Sequence, residues 1–309
     1  SPHLTDQARQ AIAHAIEELD YRPSAIARSI KAQRTYSVGV LVNDLRQPWF
    51  VEFLQGLGDA LHRHGLYPLV ADGRLDRRTD ERLVNSFMDM RVDGLVLAGT
   101  MEASDAIVKA AGRIPTVLSG SRLFPSPTAD LVAQDDTLVT RTALEHLRAL
   151  GHDRITYVGG DSGVVFTLRG QAYSDMMKAL GLTDHTELCD STEEGGYRTG
   201  LQILDRPPEE RPTAIYAASD LIALGIMSAA AELGQRIPDD ISIVGVDNTH
   251  LAKMRSIQLT SVDILPYEQG RLSGETLNAR ITAPQRPATQ QLIEPVIRVR
   301  RSTGQRRTT

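Results

Sequence analysis

Residues 37–61 read SVGVLVNDLRQPWFVEFLQGLGDAL. Val38 to Val42 is a short, unbroken apolar run. After the turn Arg46-Gln47-Pro48, the residues Val51, Leu54, Leu57 and Leu61 recur at helical spacing and stop at Gly65, a suitable helix C-cap. An apolar run followed by an amphipathic helix is the pattern of a strand buried on both faces of a parallel α/β sheet. The pattern recurs: apolar runs return at Leu69–Ala71, Leu95–Leu97, Thr116–Leu118 and Leu131–Ala133. They return again at Ile155–Val158, Thr186–Cys189, Ala214–Ala217 and Ile241–Val246, with helices expected around 137–150, 166–180, 196–205 and 221–233. The chain writes one α/β unit twice, which predicts two doubly wound parallel-sheet lobes with a ligand cleft where the carboxyl ends of their strands face each other. A helix over 267–281, a Pro-rich turn at Pro284 and Pro287 and a strand over 292–299 are predicted to cross back between the lobes, leaving 302–309 as a frayed end.

Two lobes agree with the length of 309 residues. A hydrophobic fraction of 41% and a charged fraction of 24% are ordinary for a soluble globular protein, and no apolar run is long enough to span a bilayer. The single cysteine, Cys189, lacks an internal partner and metal-ligand spacing, and reads as a small residue ending a strand. The first ten residues, SPHLTDQARQ, contain neither a signal peptide nor an initiator Met, so a chain beginning inside a longer cytoplasmic protein is expected. The net charge of −5 argues against a general nucleic-acid coat. Yet Arg22, Arg28, Lys31 and Arg34 form a local basic stripe with no acid between them. Ahead of it, a helix over 4–20 is capped by Thr5 and ends at Arg22-Pro23. A second, short helix can begin at Ser24 and needs a partner to fold.

The catalytic signatures are weak. Gly160-Asp161-Ser162-Gly163 looks like the nucleophile segment of trypsin-like proteases, but it follows a buried strand in the wrong fold class. No nucleophile elbow, phosphate loop or dinucleotide turn occurs, and His62 and His64 point to different helix faces, so neither an enzyme nor a metal or cofactor protein is expected. The binding signals are stronger. Trp49 and Phe50 lie where aromatics can stack on an apolar ligand face such as a sugar ring, or else cap the core. Arg169, Asp220 and Asp247 lie at strand ends or helix starts, where they can hydrogen-bond a polyol or charged ligand, although Asp220 would serve equally as a helix N-cap.

The stretch Leu4-Thr5-Asp6-Gln7-Ala8-Arg9, then Ile16-Glu17-Glu18-Leu19-Asp20-Tyr21-Arg22-Pro23-Ser24, resembles the last headpiece helix and hinge of LacI/GalR regulators. The likeness continues through Val38-Gly39-Val40-Leu41-Val42, Gln47-Pro48-Trp49-Phe50, Leu150-Gly151-His152 and Ser219-Asp220. It runs on through Ile237-Pro238-Asp239-Asp240-Ile241-Ser242 and Gly245-Val246-Asp247-Asn248. The resemblance implies a periplasmic-binding-protein-like type I core with three crossing segments and a homodimer on a near-palindromic operator. It also implies a small-molecule effector, a carbohydrate for preference, and no contact with membrane.

The lobes implied are 36–134 plus 264–287 and 135–263 plus 288–301, behind a headpiece remnant and hinge over 1–35. Effector contacts are implied at Trp49, Phe50, Arg169, Ser191, Ser219, Asp220 and Asp247. DNA contacts are implied at Arg22, Ser24, Ala27, Arg28, Ile30 and Lys31, with Ile30 in place of the family's usual Leu wedge. Two departures stand out. Ser119-Gly120-Ser121-Arg122 occupies a place where the family often has an acid, and Ser191 one where it often has an aromatic, which implies a roomier or differently built pocket. A solute-binding protein for sugar uptake shares the core, but the basic hinge and the helix over 4–20 have no use in an exported receptor.

Overall fold

A computed structural model describes residues 5–18, 34–100, 103–120 and 128–307. The six expected DNA contacts, Arg22, Ser24, Ala27, Arg28, Ile30 and Lys31, lie outside the described residues, as do Ser121 and Arg122. Helix α1 (Asp6–Glu18) begins where Thr5 Oγ1 accepts a hydrogen bond from Ala8 N, as the capping pattern predicts.

The first lobe contains β1 (Ser37–Val42), α2 (Trp49–Arg63), β2 (Tyr67–Asp72), α3 (Arg77–Asp89), β3 (Gly94–Ala98), α4 (Asp105–Ala111), β4 (Thr116–Ser119) and β5 (Asp130–Gln134). The second begins with α5 (Asp136–Ala149) and continues through β6 (Ile155–Gly160), α6 (Val164–Ala179), β7 (Thr186–Cys189), α7 (Glu193–Leu204), β8 (Ala214–Ala217), α8 (Asp220–Glu232), β9 (Ser242–Val246) and β10 (Thr260–Asp263). The chain then returns to the first lobe as α9 (Pro266–Thr282) and β11 (Gln290–Ile293), and ends in the second as β12 (Val296–Arg298). Each lobe is a six-stranded sheet, in the orders β11-β5-β4-β3-β1-β2 and β12-β10-β9-β8-β6-β7. Every pairing is parallel except β10 with β12.

The apolar runs become strands because both faces are covered: Val38, Val40 and Val42 pack under α2, while Leu41, Leu95 and Leu97 face α3 and α4. On α2 the buried face is Phe50, Phe53, Leu57, Ala60 and Leu61, so Val51, expected inward, is 62% exposed. The reason is α9, which packs so closely on α2 that a Cβ at Gly56 or Gly270 would strike the facing backbone.

Three features correct the sequence reading. The strand expected over 292–299 is two strands. β11 pairs with β5 in the first sheet and β12 with β10 in the second, so the last crossing falls between Ile293 and Val296 rather than after residue 287. Glu294-Pro295 separates them, since proline cannot supply a ladder hydrogen bond. Strand β10 carried no recognised signal, because Thr260-Ser261-Val262-Asp263 is mostly polar although all four residues are buried. Finally, residues 302–307 are not frayed. Ser302 Oγ accepts from Thr260 N and donates to Ile243 O, Ile243 N donates to Ser302 O, and Arg306 N donates to Leu150 O. These bonds satisfy buried backbone groups of β9 and β10, which fixes the segment.

Candidate functional site

The chain passes between the lobes from Gln134 to Asp136, from Asp263 to Pro266 and from Ile293 to Val296. The first crossing runs from the end of β5 to α5, the second from the end of β10 back to α9, and the third joins β11 to β12, which pair with β5 and β10. The carboxyl ends of the two sheets enclose a cavity of about 500 Å³, lined from both lobes. Gln47 Nε2 spans the far side and donates to Ser191 O at 3.3 Å. On the surface, Lys253 Nζ of the second lobe reaches Glu52 Oε1 of the first at 2.7 Å.

The floor on the second lobe is ionic. Arg169, in the second turn of α6 rather than at its start, is almost fully buried. Its Nε donates to Asp136 Oδ1 at 3.0 Å and its Nη1 to Ala218 O at 2.7 Å. Burial works against its charge, but Asp136, with Tyr216 and Asp247 behind it, raises its pKa overall. Asp247 follows β9 with φ 103°, a conformation rare for a residue other than glycine, and its N–H donates to Val262 O. Burial, reinforced by Asp220 and Asp136, pushes its carboxyl well above the ordinary carboxylate range against the pull of Arg169.

Of the seven residues expected around an effector, Trp49, Arg169, Ser191, Ser219 and Asp247 line this cavity. Phe50 does not. It is buried in the core, stacked on Trp49 at 3.9 Å between ring centroids, because neighbouring residues on a helix point about 100° apart and only one can face the cleft. Asp220 is also outside it. Ser219 takes the cap position, accepting from Ile222 N, while Asp220 turns inward. Its Oδ2 accepts from Thr249 N at 2.7 Å and Thr249 Oγ1 at 2.9 Å, and its Oδ1 from Ser261 Oγ at 2.6 Å. Asp220 therefore braces the segment carrying Asp247, which Arg300 also ties through Asn248 Oδ1.

The sequence reading passed over Asp136, the partner of Arg169, which stands at a crossing rather than at a strand end. It also passed over Phe166, the apolar start of α6, and Asp80 on α3. All three side chains point inward from helices whose other faces are ordinary; only the cavity identifies Phe166 and Asp80. Among the described residues no group of three or more His, Cys, Asp or Glu is placed to hold a metal, and no helix is long and apolar enough to cross a membrane.

Comparison with known proteins fits this geometry. Residues 144–303 match the family described as a periplasmic binding protein-like domain. The ribose operon repressor of Escherichia coli (strain K12) is 30% identical over 294 residues, covering 93% of this chain and 88% of that protein. The crystal structure of a LacI-family transcriptional regulatory protein from Corynebacterium glutamicum is 32% identical, with a TM-score of 0.76, covering 88% of this chain and all of that one. The lac repressor dimer bound to operator and the anti-inducer ONPF shares the fold, with a TM-score of 0.87 at 24% identity over 98% of this chain and 92% of its own.

Proposed function

Because this chain belongs to the LacI family of transcriptional regulators, we propose that its cleft takes a sugar or sugar derivative as effector and that occupancy sets the affinity of a DNA-reading headpiece for its operator. The observation that carries the reading is that Arg169, fixed by Asp136 behind it, and Asp247 line the cavity from the second lobe while Trp49 lines it from the first. Fixed donors and acceptors at one end and an aromatic at the other are what a polyol ring needs for orientation and affinity. Ser191 and Ser219 complete the polar lining.

Effector bound across both lobes favours one interlobe angle over another. A homodimer would convey that change to paired hinge segments on a near-palindromic site. In the hinge, Arg22, Arg28 and Lys31 would contact phosphates, with Ser24 and Ala27 at the groove and Ile30 inserted between base steps. Such a regulator acts in the cytoplasm. The uptake receptor considered as an alternative gives way, since the relatives that match nearly the whole chain are transcriptional regulators.

The test is a melting-temperature screen of the protein against pentoses, hexoses, disaccharides and sugar phosphates, followed by operator binding with and without any ligand found. A ligand at 100 times its Kd should add about 2.7 kcal/mol of stability, and coupling to DNA should change operator affinity about 5- to 150-fold. Failure of every saccharide to shift the melting temperature would overturn the sugar assignment. An operator affinity unmoved by a bound sugar would overturn the switch.

A further inference from the structure

The cavity extends beyond its ionic floor. In the first lobe it is bounded by Gln134 at the end of β5, Gly99 after β3, Asn43 after β1 and Asp80 on the helix after β2. These elements run from one side of the sheet to the other in the order β5-β4-β3-β1-β2. Adjacent strands lie about 4.8 Å apart, so four intervals give a trough about 19 Å long, several times the width of one sugar ring. Arg169, Asp136 and Asp247 sit beside the crossings, at the β5 side. Asp80 sits at the β2 edge, on the side where Gln47 bridges to Ser191.

Asp80 is not explained by the fold. Its side chain is buried, with 6% of the residue exposed, and its Oδ1 has no hydrogen-bond partner. The N-terminal end of α3 is already capped by Asp76, which accepts from Arg78 N and Thr79 N, so Asp80 is not needed there. The loops on either side are closed by Leu75 N donating to Asn43 O and by Asp72 Oδ1 accepting from Leu45 N and Arg74 N. The neighbouring Asp44 is fully occupied by Arg46, through its N, Nε and Nη2. Oδ1 itself packs against Gly73, and no described residue donates to the carboxylate, so the part of Asp80 that lines the cavity is the sort of group that a ligand donor satisfies.

We infer that the effector is a saccharide of at least two rings, with one ring on Arg169 and Asp247 and a hydroxyl of the next donating to Asp80. The inference rests on the reading of the cleft as a sugar site and names the class of sugar. It assigns the two ends of the trough separate tasks: the end beside the crossings holds the first ring, and Asp80 sets the required length. A ligand reaching Asp80 also extends to the side away from the crossings, where it has the greatest leverage on the interlobe angle.

The experiment is titration calorimetry with matched pairs: glucose against cellobiose and maltose, galactose against lactose and melibiose, xylose against xylobiose. The proteins are wild type, Asp80→Ala and Asp80→Asn. At least one disaccharide should bind about tenfold or more tightly than its component ring, the size expected for one hydrogen bond to a charged acceptor. Asp80→Ala should erase that advantage while leaving the monosaccharide Kd within about twofold. Asp80→Asn without ligand should melt no lower than wild type, since it removes an unpaired buried charge. Monosaccharides binding as tightly as every disaccharide, or a disaccharide preference that survives Asp80→Ala, would overturn the inference while leaving the sugar reading intact. A fall in the melting temperature of free Asp80→Asn would assign Asp80 to holding α3 and overturn it as well. If no saccharide of either length binds, the sugar reading fails and the inference fails with it.

Discussion

The two walls of the cleft are built from different materials. On the second lobe, Arg169, Asp136, Asp220 and Asp247 are all buried, and three of the four are locked by hydrogen bonds at 2.6–3.0 Å. On the first lobe the wall is a half-buried Trp49, the loops after β1 to β4 and a single buried carboxylate with an unmet oxygen. One wall is finished before any ligand arrives; the other is completed by it. A preorganised wall contributes orientation at little entropic cost, while an adaptable wall lets related proteins change ligand length without disturbing the fold.

The harshest way to break this contrast is Arg169→Met. Asp136 would lose the cation that offsets its burial, which costs about 3–5 kcal/mol, so urea unfolding should show a large loss of stability. Arg169 is thus a support of the fold as well as a cavity residue, and its removal cannot leave the fold untouched. Adding Asp136→Leu should recover much of the loss, because replacing both partners of a buried pair by apolar groups is often neutral. A variant as stable as wild type would show that the second wall is not held by this pair.

Asp247→Ala should act almost wholly on the ligand. Burial raises the Asp247 carboxyl well above the usual range, so the empty protein gains little from it, whereas a bound hydroxyl loses its acceptor. Effector affinity should fall by about 1.5–3 kcal/mol, with the unfolding midpoint nearly unchanged. An affinity within twofold of wild type would move the ring-binding end elsewhere.

Much of this contrast was legible in residue order, and the illegible part has physical causes. Ser219 and Asp247 of the second wall were found because they follow buried apolar runs, and strand ends face the cleft in any such sheet, while Arg169, expected at a helix start, lies a turn further in. Asp220 and Phe50 were misplaced by one residue each. A helix start offers an inward and a cleft-facing direction within two positions, and sequence does not say which residue takes which. The first wall was mostly missed. Its strand β2 was read from Leu69–Ala71, but Asp80 lies a full turn into the following helix among Arg77, Arg78, Glu81 and Arg82. In a charged run like that one, a buried acid looks no different from a solvated one.

A milder probe is pH. Burial, with Asp76, Asp72 and Glu81 nearby, raises the Asp80 carboxyl from 3.8 to about 6. Between those values the folded protein holds a proton that the unfolded chain has released, so this group's contribution to stability falls as pH rises through the window and is constant above it. The Asp80→Asn variant should therefore gain on wild type from about pH 4 to pH 6, by on the order of 1–2 kcal/mol given the open, screened cleft. A constant difference across that range would mean that Asp80 is already paired in the free protein.

The gentlest test acts on the join between the walls. Lys253 Nζ and Glu52 Oε1 meet across the lobes at 2.7 Å, with side chains 41% and 32% exposed. An ion pair that exposed contributes at most about 1 kcal/mol, and it contributes only while the lobes keep this relative angle. A ligand that needs both walls inherits that bias, because affinity is reduced by whatever fraction of molecules is not in the competent arrangement. Lys253→Ala should therefore weaken effector binding by no more than about fivefold while leaving thermal unfolding within error, since neither lobe's core touches the pair. The same variant measured near 1 M salt, where the screening length falls to about 3 Å, should bind like wild type. A loss that persists in high salt would mean that Lys253 supports the cleft by packing. A loss beyond tenfold would mean that the lobes' relative angle, rather than the finished second wall, governs recognition.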